Sequence, residues 1–322
     1  MKKIRLLFSF ILIFSVATFG AILFTKDIHN AQGANIIYLN DKSLTLEVDH
    51  YKTLRIKGTT SSATWRSSSS WVASVSSSGK VFAKAPGTST ITASVDGRKL
   101  TCKVTVLFLN KKTLTLIPDQ TSTLTVTGTN SEIIWNSSNN SVATVSNSGQ
   151  ITAVAPGAAT ITASVDGIEL SSKITVIDIN LKNVVLVHGF RIGFIKTLKI
   201  NGTSSNITWT SNNKSVATVS SSGKVTAQGP GTATITASVD GKAFTSQVKV
   251  LEMSVNAFTL KKGETKTLDV LGTNNDITWA SYKKSVATVS NDGTVTAQST
   301  GEATIVGYVD GRIVRSRVTV TE

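Results

Sequence analysis

A tryptophan that recurs at a nearly fixed interval constrains this chain more than any other feature. Trp65, Trp135, Trp209 and Trp279 are spaced 70, 74 and 70 residues apart. Seven residues after each stands Val72, Val142, Val216 or Val286, opening VASVS once and VATVS three times. Gly79, Gly149, Gly223 and Gly293 follow at the same spacings, and then a corner reading APG at 85–87 and 155–157, GPG at 229–231 and STG at 299–301. Each unit closes on TITASVDG, or TIVGYVDG from residue 304, and a final apolar-alternating run such as 173–176. A period near 70 is too long for one layer of a solenoid and suits a small sandwich with its own core. The repeat divides the chain into a leading segment, 1–34, and four units, 35–107, 108–177, 178–251 and 252–322.

The landmarks read as β-structure. In TITASVDG, Ile91, Ala93 and Val95 alternate with Thr and Ser, the period of a strand with one buried face. Asp96-Gly97, Asp166-Gly167, Asp240-Gly241 and Asp310-Gly311 supply the two positive-φ residues of a type I′ hairpin turn, so the chain should return as an antiparallel strand. On that return Leu100, Cys102, Val104 and Val106 repeat the alternation, which points Cys102 inward where the other units carry Ser172, Ser246 and Ser316. The recurring tryptophan, flanked by strand residues, is expected to plug the space between two sheets. Seven or so short strands fit in each unit. No Gly, Pro or Ser linker separates the units: Val106-Leu107-Phe108-Leu109 runs from one directly into the next, leaving little room to swivel. At roughly 3.3 Å per residue, four units in line would reach on the order of 120 to 160 Å.

The chain is rich in Ser, Thr, Val and Gly, with only 4 Pro and 2 Met among 322 residues, which fits short strands and tight turns. A single cysteine, Cys102, excludes an internal disulfide and a thiolate metal cluster, so packing alone must hold each sandwich. The net charge of +14 is uneven: the leading segment carries +3, the first and third units +6 each, the second −1 and the fourth 0. Lys2, Lys3 and Arg5 precede an uncharged, mostly apolar stretch from Leu6 to Thr25. That is a basic region followed by a hydrophobic one, so everything after it should be exported. Some 20 residues is long for a signal peptide and near the minimum for a span. Ala31-Gln32-Gly33 offers small residues for cleavage before Ala34, so the expected hydrophobic helix is either a removed signal peptide or a retained membrane anchor.

The tryptophan, SVATVS, the glycine, the Pro-Gly corner and the closing hairpin resemble bacterial immunoglobulin-like domains of group 2. The resemblance covers about residues 35 to 322. It implies an all-β chain of four tandem immunoglobulin-like β-sandwich domains, in a bacterial or phage surface protein where such domains act as adhesins, wall proteins or spacers. The departures are Thr300 in place of the corner proline, Val306-Gly307-Tyr308 in the last unit and four extra residues early in the third. The family brings no catalytic residues.

A search for chemistry is nearly empty. His29, His50 and His188 are the only histidines and lack partners at metal-ligand spacing. The turn aspartates are explained by backbone geometry. No nucleophile with an adjacent base, paired carboxylates or phosphate loop is found, so neither an enzyme nor a cofactor or metal is expected, nor is nucleic acid as a partner. Two places break the repeat. Trp71 stands where the other units have Ser141, Ser215 and Ser285, and an added aromatic there is a candidate contact for a sugar ring or a partner. The greasy run 184–194 in the third unit holds Phe190 and Phe194, either a contact tip or packing against the second unit. The expected function is a non-catalytic structural spacer or adhesin at the cell surface. The alternative is a secreted module binding anionic wall polymer or carbohydrate through Trp71 and the basic units; a host or neighbouring surface protein is the other candidate partner, with the membrane engaged through an uncleaved leading segment.

Overall fold

The hairpin in each repeat sets the frame. Gly87–Val95 and Arg98–Leu109 pair antiparallel from Gly87↔Val106 to Val95↔Arg98, turning through Asp96 at φ 48° and Gly97 at φ 72°. The same pair of positive angles stands at Asp166-Gly167, Asp240-Gly241 and Asp310-Gly311, as a type I′ turn requires. The computed structural model describes residues 36–189 and 193–322. The candidate export segment, with its expected helix, and Phe190 lie outside them. Among the described residues no helix is long and apolar enough to cross a membrane, and the regular structure is all strand.

Around that hairpin the first repeat builds a sheet in the order Ser43–Glu47, Arg98–Leu109, Gly87–Val95, Thr64–Ser67, in which the first pair is parallel and the rest antiparallel. A smaller sheet faces it: Tyr51–Thr53, Lys80–Ala83, Ala73–Val75. A short ribbon of Tyr38–Leu39 and Ile56–Lys57 completes the unit. The other three repeats reproduce both sheets strand for strand. Each repeat thus holds more strand segments than the seven expected, because both runs before the tryptophan strand are split, in the first repeat into Tyr38–Leu39 and Ser43–Glu47 and into Tyr51–Thr53 and Ile56–Lys57.

Strand alternation fills four separate cores. The first runs from Leu39 to Val106, the second from Leu107 to Val176, the third from Ile177 to Val250, and the fourth from Leu251 to Val320 with Val187 added from the third repeat. Leu107, Ile177 and Leu251, which the repeat pattern assigns to the ends of units, therefore bury their side chains in the core of the unit that follows. Cys102 is buried as its parity requires, and burial, ahead of the nearby Asp41, pushes its thiol up to about 11. Ser172, Ser246 and Ser316 are buried at the matching positions, and their hydroxyls lack a hydrogen-bond partner in the protein.

The joints explain why no linker is needed. Arg98–Leu109 is one strand whose end, Phe108 and Leu109, pairs with Thr127 and Val126 of the second repeat. Lys242–Met253 likewise ends against Leu271 and Val270 of the fourth. Between the second and third repeats the strand breaks after Val176, and Asp178–Ile179 begins separately. A glycine lies against every joint. Gly128, Gly202 and Gly272 have φ of 100°, 88° and 89°, and a Cβ on any of them would lie 1.9 to 2.0 Å from the carbonyl oxygen of Val106, Val176 or Val250. Only a residue without a side chain can follow that backbone so closely.

Gly128→Ala is therefore expected to cost about 1 to 3 kcal/mol and to change the solution scattering of the whole chain while its strand circular dichroism persists. A melt and scattering curve matching the parent would show that the joint is not built on this approach. Ser246→Cys, which gives the third core the side chain of the first, should instead stabilise by about 1 kcal/mol, because it removes an unpaired buried hydroxyl. Loss of stability in a denaturant titration would contradict this.

Candidate binding surfaces

The recurring tryptophans sit on an edge. Thr64–Ser67 pairs with Gly87–Val95 at the margin of the larger sheet, and Trp65 reaches from there across the gap to the smaller sheet. A Cβ on Gly79 would meet its ring at 2.9 Å, and Gly149, Gly223 and Gly293 lie equally tight under Trp135, Trp209 and Trp279. All four are half-buried and packed against their cores. They seal the open margin between the sheets, while Val81, Ile91 and Val104 and their counterparts fill the centre. Beside two of them lie shallow clefts. One of about 460 Å³ is lined by Leu124, Ile133, Ile134 and Trp135, and one of about 500 Å³ by Leu198, Ile200, Ile207 and Trp209.

The hairpin aspartates serve their own loops. Thr59 Oγ1 donates to Asp96 at 2.8 Å, Ser131 Oγ to Asp166 at 3.1 Å and Ser205 Oγ to Asp240 at 3.1 Å. Asp310 accepts from Thr273 at 3.0 Å, from Asn275 and, across the joint, from Lys249 at 3.1 Å. Hydrogen bonds from Ser61 and Thr59 hold the Asp96 carboxyl below its ordinary range. At Asp310 burial works the other way, but Lys249, Asn275 and Thr273 together outweigh it and the carboxyl is again lowered. Asp292 is lowered by Ser290 and Thr294. Among the described residues no three His, Cys, Asp or Glu side chains are grouped to hold a metal ion.

The two breaks in the repeat have different fates. Trp71 is 68% exposed, on the turn just before buried Val72. Phe194 is half-buried: it packs on the third core, and its carbonyl accepts from the Ala227 amide. The described residues before it meet the fourth repeat. Val187 enters the fourth core, Gly189 abuts Asn256, and His188 Nδ1 lies 3.0 Å from Glu252 Oε1 without the alignment of a hydrogen bond. Arg312 Nε adds a hydrogen bond to the Val185 carbonyl at 3.0 Å. Val185 to Gly189 therefore wedge the third repeat against the fourth. Alternation alone could not show this, because it gives the face a side chain takes and not the neighbour it meets. The joint glycines were also missed, although a glycine seven residues before every tryptophan is plain in the sequence.

A family model for the bacterial Ig-like domain (group 2) matches residues 32–106, 103–176 and 247–312, more than half of the chain. The chain belongs to that family. In the third repeat, residues 196–241 match the immunoglobulin-like domain of intimin. Ice-binding protein 1 of Shewanella frigidimarina is 30% identical over 295 residues, covering 76% of this chain and 33% of that protein. An uncharacterized protein of Clostridium acetobutylicum is 32% identical over 181 residues, covering 51% of this chain and 19% of that one. The chain thus spans a third or less of these relatives. Among solved structures, the intimin fragment bound to its translocated receptor domain is similar at 18% identity and TM-score 0.29, over 47% of this chain and 67% of that one. Invasin, an integrin-binding protein, is similar at 15% identity and TM-score 0.26, over 88% and 78%.

Trp209→Ala is expected to cost the third repeat about 2 to 4 kcal/mol, somewhat below the loss of a wholly buried ring, and to leave the first repeat's melt in place. An unchanged calorimetric profile would mean that the ring seals nothing. Acid should also weaken the fold. The lowered aspartates contribute stability in full above the ordinary aspartate value of about 3.9, and this is lost as pH falls through their folded values. Urea midpoints should be level from pH 7 to 5 and drop below about pH 4; a midpoint that rises on acidification would reverse the sign.

Proposed function

We propose that this chain is a non-catalytic, exported rod of four immunoglobulin-like domains that spaces or presents an adhesive surface outside a bacterial cell. The observation that carries this reading is the joint: a strand runs through two of the three boundaries, and a glycine-backed contact replaces a linker at all three. Family membership supports a surface setting. The basic residues and apolar stretch of the leading segment support export. Shallow clefts and aspartates engaged by their own loops support a binding or spacing role over catalysis.

Trp71 favours the second reading, a module for anionic wall polymer or carbohydrate. An indole exposed to this degree on a basic repeat (+6) suits stacking on a sugar ring beside a negative charge.

The two readings separate in one experiment on the full exported chain. For a spacer, isolated walls should not retain it at low salt, and deleting residues 108–177 should shorten the particle seen by electron microscopy by about a quarter, from one unit in four. For a wall binder, retention should be strong at low salt and fall as ionic strength rises past a Debye length of about 8 Å, with Trp71→Ser weakening it. A chain found only in the cytoplasm, with its leading segment intact, would overturn both.

A further inference from the structure

The outer face of the larger sheet differs in the last repeat. Its edge strand, middle strand and return strand present Ala280 and Tyr282, Val306 and Tyr308, and Ile313 and Arg315, in the rows Tyr308↔Ile313 and Ala280↔Val306↔Arg315. At the same positions the third repeat has Thr210 and Asn212, Thr236 and Ser238, and Ala243 and Thr245, and the second is likewise free of aromatics. In the first repeat these positions hold Arg66, Ser68, Thr92, Ser94, Lys99 and Thr101, so three polar faces are followed by one that alone is aromatic.

The patch is ordered by its own contacts. Ile305 and Gly307 face the core, so Val306 faces outward, yet it is 0% exposed. Among the described residues no second layer of strands covers that face, so the neighbouring side chains bury it. Tyr282 remains 58% and Tyr308 38% exposed. The two phenols interact, and with Arg315 they draw the Tyr282 hydroxyl below its ordinary range, Tyr308 contributing most. Gly307, in place of alanine, makes room beneath: a Cβ there would meet Ile277 at 3.0 Å and Val270 at 3.1 Å. Among the described residues Arg315 and Arg317 form no salt bridge, and Lys283 and Lys284 follow Tyr282. Glu302 lies two rows from Val306 on the same strand, and Asp310 is held by Lys249, Thr273 and Asn275.

We propose that this face of the fourth repeat binds an acidic polysaccharide, with the apolar side of a sugar ring on Tyr282 and Tyr308 and a sugar carboxylate on Arg315. The chemistry fits each part: tyrosine offers a flat apolar body with a polar tip, and a guanidinium without an acidic partner matches a carboxylate with two parallel hydrogen bonds. Size argues against a protein partner. Three strands about 4.8 Å apart and a few rows deep give a patch on the order of 150 Å², far below the roughly 800 Å² per side of a stable protein interface. This goes beyond the spacer reading and is independent of Trp71, which lies on the first repeat.

The test uses the full chain with polygalacturonate as the probe and dextran as its neutral counterpart. Binding to polygalacturonate and not to dextran is expected. Replacing Tyr282 by Asn and Tyr308 by Ser, the residues of the third repeat, should weaken it about tenfold or more, as hot-spot removal does. Arg315→Thr should do the same, and Arg315→Lys should recover only part, since the charge remains without the fork. Because another repeat carries these outward-facing residues, melting temperatures should hold; should the double variant melt early, Arg315→Thr decides alone. Equal binding to dextran would remove the carboxylate contact. Polygalacturonate binding untouched by all three variants would place the affinity on the basic first and third repeats and overturn the proposal. So would retention of a protein partner, sensitive to these variants, with no binding to either polymer.

Discussion

Everything in this molecule depends on the strand that ends each repeat. In the first repeat it is the middle member of its sheet, parallel to Ser43–Glu47 on one side and antiparallel to Gly87–Val95 on the other. It therefore ties the beginning of the repeat to its end, which a chain without disulfides must do through hydrogen bonds and burial alone. The same strand then supplies Leu107 and Leu109 to the next core. Apolar residues crowd the boundary because they are already part of the following sandwich.

The joints built this way are not equal. Between the first and second repeats the strand is continuous and Glu47 pairs with Lys112. Between the third and fourth it is also continuous, and Val187, the Arg312 to Val185 bond and the Lys249–Asp310 pair reinforce it. The middle joint has a broken strand and keeps its glycine contact. Exposed ion pairs add little individually, so the apolar wedge is the main difference. Val185 to Gly189 of the third repeat are best understood as reinforcement of one joint.

Much of the fold was legible because its signals are local. Alternation put Ile91, Ala93 and Cys102 on a buried face, and Asp96-Gly97 has the positive angles its composition demands. What escaped depends on distance along the chain. Gly128 is required by the carbonyl of Val106, 22 residues earlier. Trp65 reads as a central plug until its strand is known to lie on an edge, where one side of the ring must meet solvent. Phe194 and Val187 belong to adjacent cores, and nothing in their own neighbourhood says which. On the surface, Trp71 was visible as a break in the repeat, whereas Tyr282 and Tyr308 gain meaning only when pairing brings their strands together.

The parallel pairing of first and last strands has a mechanical side. In each repeat the chain enters along one of these strands and leaves along its neighbour in the same direction. Tension applied between the two ends of a repeat therefore drags the two past each other lengthwise. The bonds from Ser43↔Lys103 to Glu47↔Leu107 share that load in shear and must fail together, whereas a hairpin pulled from its open end yields one rung at a time. Forced opening is governed by the height of that single barrier, so each repeat acts as a latch that holds until it releases whole.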